Sequence, residues 1–530
     1  MKTYNFLKSI FKYTPKEDIF SFSLDREKSN NSTPKKEEDF LVSKNLKNNL
    51  EIIKNSYSYP LNSDIKIREF KIGNQKKAFI VFIEGLVNDN SLNTNILAPL
   101  MLIPSTKITE ESLKENLLLN TQLSVIYDFE KIYEDINMGN CILFADEIPT
   151  AFSLDVKGWE RRGIDSPVTE HVIYGAHEGF NENFKVNSAL IRKNLRNENL
   201  VCETISVGNI SKTPCALFYI KGVTNQSLIK EIKRRLNKID ADYIYQLGEL
   251  EQFIEDDTFA LSPQFLTTER PDKTAEALVE GKIALVLHGS PFALLAPISF
   301  TDFLTTTEDK FVRFPFANLM KFIRLIGIVS SFLLSGLYIA VVNFHHEMIP
   351  TDLLFAIESA RESVPFTALF ELLLMEISFD IIREASLRVP SPIGSTVGII
   401  GGLIVGQAAV SANLVSPIAI IIVSLTGIGS FATPNYALNF TFRFARYIYI
   451  ILGAVFGFLG IAAGIFLHAL ALSSVKSLGV PLFTSLANDN KESMLAFLLQ
   501  KPLWKKEFRH TYVNAQRQRV QADISRKWEE

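Results

Sequence analysis

The 530-residue chain has few of the features that announce chemistry. It holds only three cysteines, Cys141, Cys202 and Cys215, with no CxxC pair and no zinc-type partner spacing. That excludes a disulfide framework and fits packed thiols in a reducing compartment. It has no Gly-rich phosphate loop, no GxSxG and no HExxH, so neither an enzyme nor a cofactor or metal is expected. Charge of one sign is not in excess: 55 basic against 58 acidic residues leave a net charge of -3. No basic patch interleaved with aromatics gives a reason to expect nucleic acid. The opening MKTYNFLKSIFKYTPKEDIF lacks the apolar core and small-residue cleavage site of a signal peptide, so the polar half is expected to stay on the side where it was made.

What is present is a contrast between two halves. A mean hydropathy of +0.13 is high for a soluble enzyme, while 21% charged residues is high for a wholly embedded protein. The two fit together if a polar α/β or α+β region precedes an all-α multi-pass transmembrane domain, and the length calls for two or three units.

Residues 1–58, with EKSNNSTPKKEED and KNLKNN, are too polar to bury a core and read as a mobile lead-in with room for one short helix. A first α/β subdomain is expected over 59–157. In it IKIREFKI and AFIVFIEG flank a Gly73-Asn74-Gln75 hairpin, helices follow around Leu92–Leu102 and Glu110–Ile126, and CILFAD and FSLDV supply strands. A second subdomain is expected over 158–310. Ser166-Pro167 can start a helix there. An amphipathic helix around Phe180–Arg196 would expose Lys185, Arg192, Lys193 and Arg196. VCETISV, CALFYIKG and IALVLHG read as strands, and SLIKEIKRRLNKI and AEALVEGK as helices.

Beyond Phe311 long apolar runs begin. Residues 311–475 divide into spans over 321–342, 393–412, 417–433 and 447–472, the third short enough to need tilt or a break near Gly427-Ile428-Gly429. Between the first two, an amphipathic segment over 366–385 carries Glu371, Glu376, Asp380 and Glu384 close to one face. Charge at membrane depth costs about 2.5 kcal/mol or more. Glu371, Glu376 and Asp380 therefore need partners, a subunit interface or a water-filled vestibule, in which they would attract cations. The basic tail, 476–530, is expected on the cytoplasmic side by the positive-inside rule. With the N-terminal region also cytoplasmic, four crossings suffice, although Arg383, Arg388, Arg443 and Arg446 then fall in outer loops and a fifth crossing is the alternative.

The stretch RVPSPIGSTVGIIGGLIVGQAAVSANLVS, 388–416, has two distinct faces. Gly394, Gly398, Gly402 and Gly406 recur every four residues and form a smooth stripe suited to close helix packing. Thr396, Ile400, Leu403, Gln407 and Ser411 lie on the opposite face, partly polar. Bundle packing alone would explain such a helix; so would a pore with Ile400 and Leu403 as an apolar constriction, which Leu403→Ser would open. The opposite assignment, with Gly398, Gly402, Val405 and Ala409 as a narrow small-residue lining, stays open.

Other polar groups have plainer readings. His345-His346-Glu347 fits a helix-end loop better than a metal site, since neighbours on a helix point apart. Asp165, Glu170, Glu178 and Glu182 read as a solvated face, and His288-Gly289-Ser290-Pro291 as a hairpin turn.

From about Phe79 to about Arg519 the chain resembles the A subunits of GerA-type spore germinant receptors. The resemblance rests on RRGIDSPVTEHVIYGAHEGFNENFKVNSALIRKNLR, TERPDKTAEALVEGKIALVLHGSPFALLAP, FHHEMIPTDLLFAIESARESVPF and the glycine-stripe helix with GQAAVSANLVSP. Two departures stand out: Ala176-His177 replaces the family's usual Pro-Arg, and His288 replaces an Asp. The resemblance implies an inner-membrane component of a dormant spore, with a cytosolic N-terminal region, working with a transporter-like B subunit and a lipoprotein C subunit. It also implies a homo-oligomer, a pentamer, forming a channel that opens on nutrient binding and releases monovalent cations. A non-conducting scaffold that passes on a conformational signal is the alternative. A transporter is a third, against which stands the lack of an internal repeat among the spans.

Overall fold

The computed structural model describes residues 22–24, 41–103, 108–114, 123–158, 166–389, 401–402, 404–484 and 499–521. Its N-terminal half is built on two five-stranded sheets. The first is preceded by helix α1 (Leu46–Ser56) and contains β1 (Ile65–Ile72), β2 (Lys76–Ile83), β3 (Leu123–Ile126), helix α2 (Phe129–Asn137), β4 (Cys141–Ala145) and β5 (Ala151–Leu154). Gly73 and Asn74 both take positive φ between β1 and β2, which closes a tight turn whose twist suits the hairpin. Helix runs through Leu92–Leu102 as expected, but Leu123–Ile126 forms β3. Its edge pairing with β5 overrides the helical pattern expected up to Ile126.

The second unit repeats the first. Helix α3 (Phe184–Asn194) leads into β6 (Leu200–Val207) and β7 (Thr213–Ile220). Helices α4 (Gln226–Asn237) and α5 (Leu247–Ile254), β8 (Leu266–Thr268), helix α6 (Pro271–Val279), β9 (Ile283–Leu287) and β10 (Ala293–Ala296) follow. The spatial order is β1-β2-β4-β5-β3 in one sheet and β6-β7-β9-β10-β8 in the other, the same topology shifted by five strands. All strand pairs described are antiparallel, which resolves the choice between α/β and α+β toward the latter.

Helices cover both faces of each sheet, and this explains the continuous apolar strands. Phe79, Val81 and Ile83 join the core with α1 and α2, whereas Ala78, Ile80 and Phe82 join the opposite core with Leu92–Leu100. The units are joined by a buried ion pair. Arg192, 1% exposed, donates to Asp64 at 2.5 and 2.8 Å, so the prominent cation of α3 is an inter-unit clamp and not a solvated residue. The segment after Ser166 does not start a helix. The Glu269 carboxylate takes the backbone N–H groups of Val168 and Thr169, and the Glu308 carboxylate takes that of Ile173, which holds the segment in an irregular course. Glu170 bonds Lys273 and Thr268, Glu178 pairs with Lys193, and the Glu182 carbonyl accepts from Gly289. Asp165 lies outside the described residues.

The C-terminal half is helical: α7 (Phe314–Phe344), α8 (Thr351–Arg361), α9 (Ala368–Arg388), α10 (401–402 and 404–411), α11 (Pro417–Phe431) and α12 (Tyr436–Ser474). Two of these, α7 and α12, are long and apolar enough to cross a membrane. Helix α11 is unbroken through Gly427 and Gly429, whose bare backbones sit against Phe379 and Gly327. Helix α12 is not the single straight span expected over 447–472. Gly457, at φ +59, reverses it into two arms, so that Gly460 lies on Leu452 and Gly464 on Tyr449. Only a residue without Cβ adopts that backbone readily.

Contacts fix the direction of each helix. Helix α7 starts beside the sheets, where Arg324 bonds the Leu304 carbonyl, and ends with Phe344 and His345 at Gly457. Helix α9 runs back from Ser416 to Ser430, α10 away again from Ile382, and α11 back to Gly327. The arms of α12 go out from Ile328 and return to the second sheet's core through Val475. Among the described residues the chain thus passes along the bundle six times, and its tail returns to the side on which the sheets lie. There Ile298 donates to Ser477 and Phe300 to the Leu482 carbonyl, while Tyr512 and Lys282 both bond Asp302 at 2.8 Å. Burial works against the Asp302 charge, yet Lys282 holds this carboxyl below its usual range.

Candidate functional site

The polar residues of the helical half converge on α9. Its sequence, ALFELLLMEISFDIIREASLR, places Glu371, Leu372, Met375 and Glu376 on one buried face. An unpaired carboxylate there would be prohibitive, so each acid must meet donors. Glu376, 0% exposed, lies 2.8 Å from Arg446 Nη1, and Arg446 is itself 1% exposed. Ser335 Oγ of α7 donates to Glu376 Oε1 at 2.7 Å, and Thr426 Oγ1 of α11 stands 3.1 Å from the same oxygen. One carboxylate therefore ties together α7, α9, α11 and α12.

Asp380, one turn further along α9, takes Arg443 at 2.9 Å and the Tyr447 hydroxyl at 2.7 Å. Arg383 reaches Ser430 at 3.1 Å and stacks over the Phe431 ring. At the other end, Glu371 accepts the backbone N–H of Ser416 at 2.5 Å, the residue whose own hydroxyl caps α11. Arg361 of α8 stands 3.7 Å away.

Glu371, Glu376 and Asp380 thus act within one chain as bonded links between helices; Glu371 and Glu376 are fully buried and Asp380 partly so. Arg443 and Arg446, expected in outer loops, lie on the first arm of α12 because that helix begins at Tyr436. The missed partner had a signal in the sequence. Phe442, Arg446, Tyr449 and Gly453 recur at helical spacing on one face, the face that α12 buries.

Helix α10 differs from α9 in pointing polar groups outward. Of the expected lining, Gln407 and Ser411 are exposed on the surface of the chain. Thr396, Ile400 and Leu403 lie outside the described residues, as do Gly394 and Gly398. Of the small-residue face, Gly406 is buried near Ile420 of α11, and Ala409 is buried with Val415 and Ala419. Gly402 and Val405 are exposed. His345 and His346 sit at the turn after α7, where the His345 ring packs on Phe458. No group of His, Cys, Asp and Glu suited to a metal occurs among the described residues.

The sequence has relatives among known proteins. The model of the family "Bacillus/Clostridium GerA spore germination protein" matches residues 51–512. Spore germination protein KA of Bacillus subtilis (strain 168) is 38% identical over 479 residues, covering 89% of this chain and 88% of that protein. The uncharacterized membrane protein YfkQ of the same organism is 37% identical over 468 residues, covering 88% and 91%. Among solved structures, the N-terminal domain of the A subunit of the Bacillus megaterium spore germinant receptor GerK3 is 29% identical. It covers 49% of this chain and 97% of that one, with a TM-score of 0.37.

Proposed function

The chain belongs to the GerA family of spore germination proteins, and from that premise we propose that it is the A subunit of a nutrient germinant receptor, forming a cation channel as a homo-oligomer. The observation that carries the channel reading is the outward polar stripe of α10. Gln407 and Ser411 are exposed on a helix whose opposite side packs on α11. An amide and a hydroxyl facing lipid would lack partners. Copies of the chain arranged around an axis would turn those groups to a shared aqueous path, with Thr396, Ile400 and Leu403 continuing the lining.

In this reading the helical half crosses the spore inner membrane six times, two passes more than the four spans expected from hydropathy. The charged helix α9 crosses because its acids are paired inside the bundle. The sheets and the tail share one side, the cytosolic one by the excess of Lys and Arg in the tail. Partners are a transporter-like B subunit and a lipoprotein C subunit. The links from α9 to its neighbours supply the element through which a partner's movement would reach α10.

Cysteines placed at 407 and 411 test the arrangement, since the native Cys141, Cys202 and Cys215 are buried. Oxidation in membranes is expected to give dimers through either position. Cross-linking only through the lipid-facing arm of α12, for example at Phe466, would remove α10 from the axis and favour a non-conducting scaffold.

A further inference from the structure

We propose that the sheet-bearing half carries an apolar collar that inserts into the headgroup layer of a phospholipid bilayer, where the two apolar helices enter it. The inference rests on the reading of α7 and α12 as membrane spans. Three segments far apart in sequence make the collar, one held just before α7, one at the start of α12 and one at the start of α7.

Ile173 and Tyr174 are 81% and 68% exposed. They are held beside α7 by the bond from the Ile173 N–H to Glu308 and by Gly175 lying on the Phe311 ring. Phe259 and Leu261, 66% and 58% exposed, are fixed by the Thr441 hydroxyl donating to the Leu261 carbonyl. Thr441 stands about 7 Å along α12 from its first residue at 1.5 Å per residue. Leu499 and Leu503 are exposed on the tail, where Gln500 and Asn318 of α7 exchange bonds of 2.6 and 3.1 Å.

The occupant follows from continuity. Tyr436, Phe440, Phe444, Ile448, Ile451 and Val455 form an exposed apolar stripe along the first arm of α12, about 30 Å long at the helical rise, the thickness of a hydrocarbon core. Leu261 touches this arm near the beginning of that stripe, at the depth where aromatic belts lie. Lys505, exposed and stacked over Trp504, presents its ammonium in the manner suited to phosphate headgroups. Exposed apolar groups at three points beside the span entrances are satisfied together by a lipid surface.

The full chain in phosphatidylcholine–phosphatidylglycerol vesicles tests this with bimane on single cysteines, Phe259→Cys, Tyr174→Cys and Ile451→Cys. All three replaced side chains are exposed, so the core is untouched. Labels at 259 and 174 are expected to be quenched at least twofold more by a headgroup-level nitroxide than by aqueous iodide, and the label at 451 by a mid-chain nitroxide. Loss of quenching at 451 would overturn the span reading itself. Deep quenching at 451, with labels at 259 and 174 answering only to iodide or shielded from every quencher, would overturn the collar alone; shielding would assign those residues to a protein partner.

Discussion

Glu376 and Arg446 meet 2.8 Å apart, both fully buried, one on α9 and the other on the first arm of α12. Removing one partner strands a charge, which costs about 3–5 kcal/mol, whereas replacing both with apolar groups is often neutral. Glu376→Leu and Arg446→Met are each expected to lower the unfolding midpoint in detergent strongly. The double variant should recover most of the loss, and thermal unfolding of all four proteins completes the cycle.

The α7–α12 crossing has no room for side chains. A Cβ on Gly453 would stand 2.4 Å from the Gly336 carbonyl oxygen, and one on Gly336 2.7 Å from that of Tyr449. Gly453→Ala is expected to cost about 1–3 kcal/mol by overpacking and to separate the helices. Unchanged stability would show that the two backbones are not in contact.

In the sheet-bearing half, Arg192 and Asp64 form a buried ion pair between the two units, beside Ala189 of α3, which packs into the first unit's core. Arg192→Met should loosen the first unit by about 3 kcal/mol, because Asp64 is left buried without its cation. Hydrogen exchange on the full chain should then quicken in residues 41–158 and leave the α12 arms unaffected.

A pH dependence follows from Glu251. Burial, with Glu255 beside it, raises this carboxyl to about 7, against about 4.3 when unfolded. An acid whose folded pKa is raised costs stability above that pKa, and the cost vanishes as pH falls to the unfolded value. Glu251→Gln is therefore expected to stabilise the chain by about 3–4 kcal/mol at pH 8 and by only about 1 kcal/mol at pH 5, read as a difference in melting temperature.

The strands were legible because both faces of each sheet are covered, so AFIVFI and IALVL stand out as unbroken apolar runs. The duplicated topology was not, since five-strand order depends on long-range pairing that no local pattern carries. The apolar runs expected over 321–342 and 417–433 overlap helices α7 and α11. Hydropathy counted Tyr447–Leu472 as one pass because Gly457, an ordinary helical glycine to any composition scan, reverses the chain only in three dimensions. The same blindness placed Arg443 and Arg446 in loops. A charge reads as a boundary until its partner is known, and the acids of α9 lie more than sixty residues away in sequence. Glu371, Glu376 and Asp380 were visible as acids in need of partners, but their donors were not.

In the proposed oligomer α10 lines a cation path. Cation efflux from sealed vesicles holding the oligomer with Gln407→Cys, before and after a positively charged thiol reagent, tests it most directly. Modification at 407 is expected to change the efflux several-fold, with no change when the cysteine replaces the exposed Phe466. Efflux indifferent to modification at 407 and at 411 alike would contradict the account.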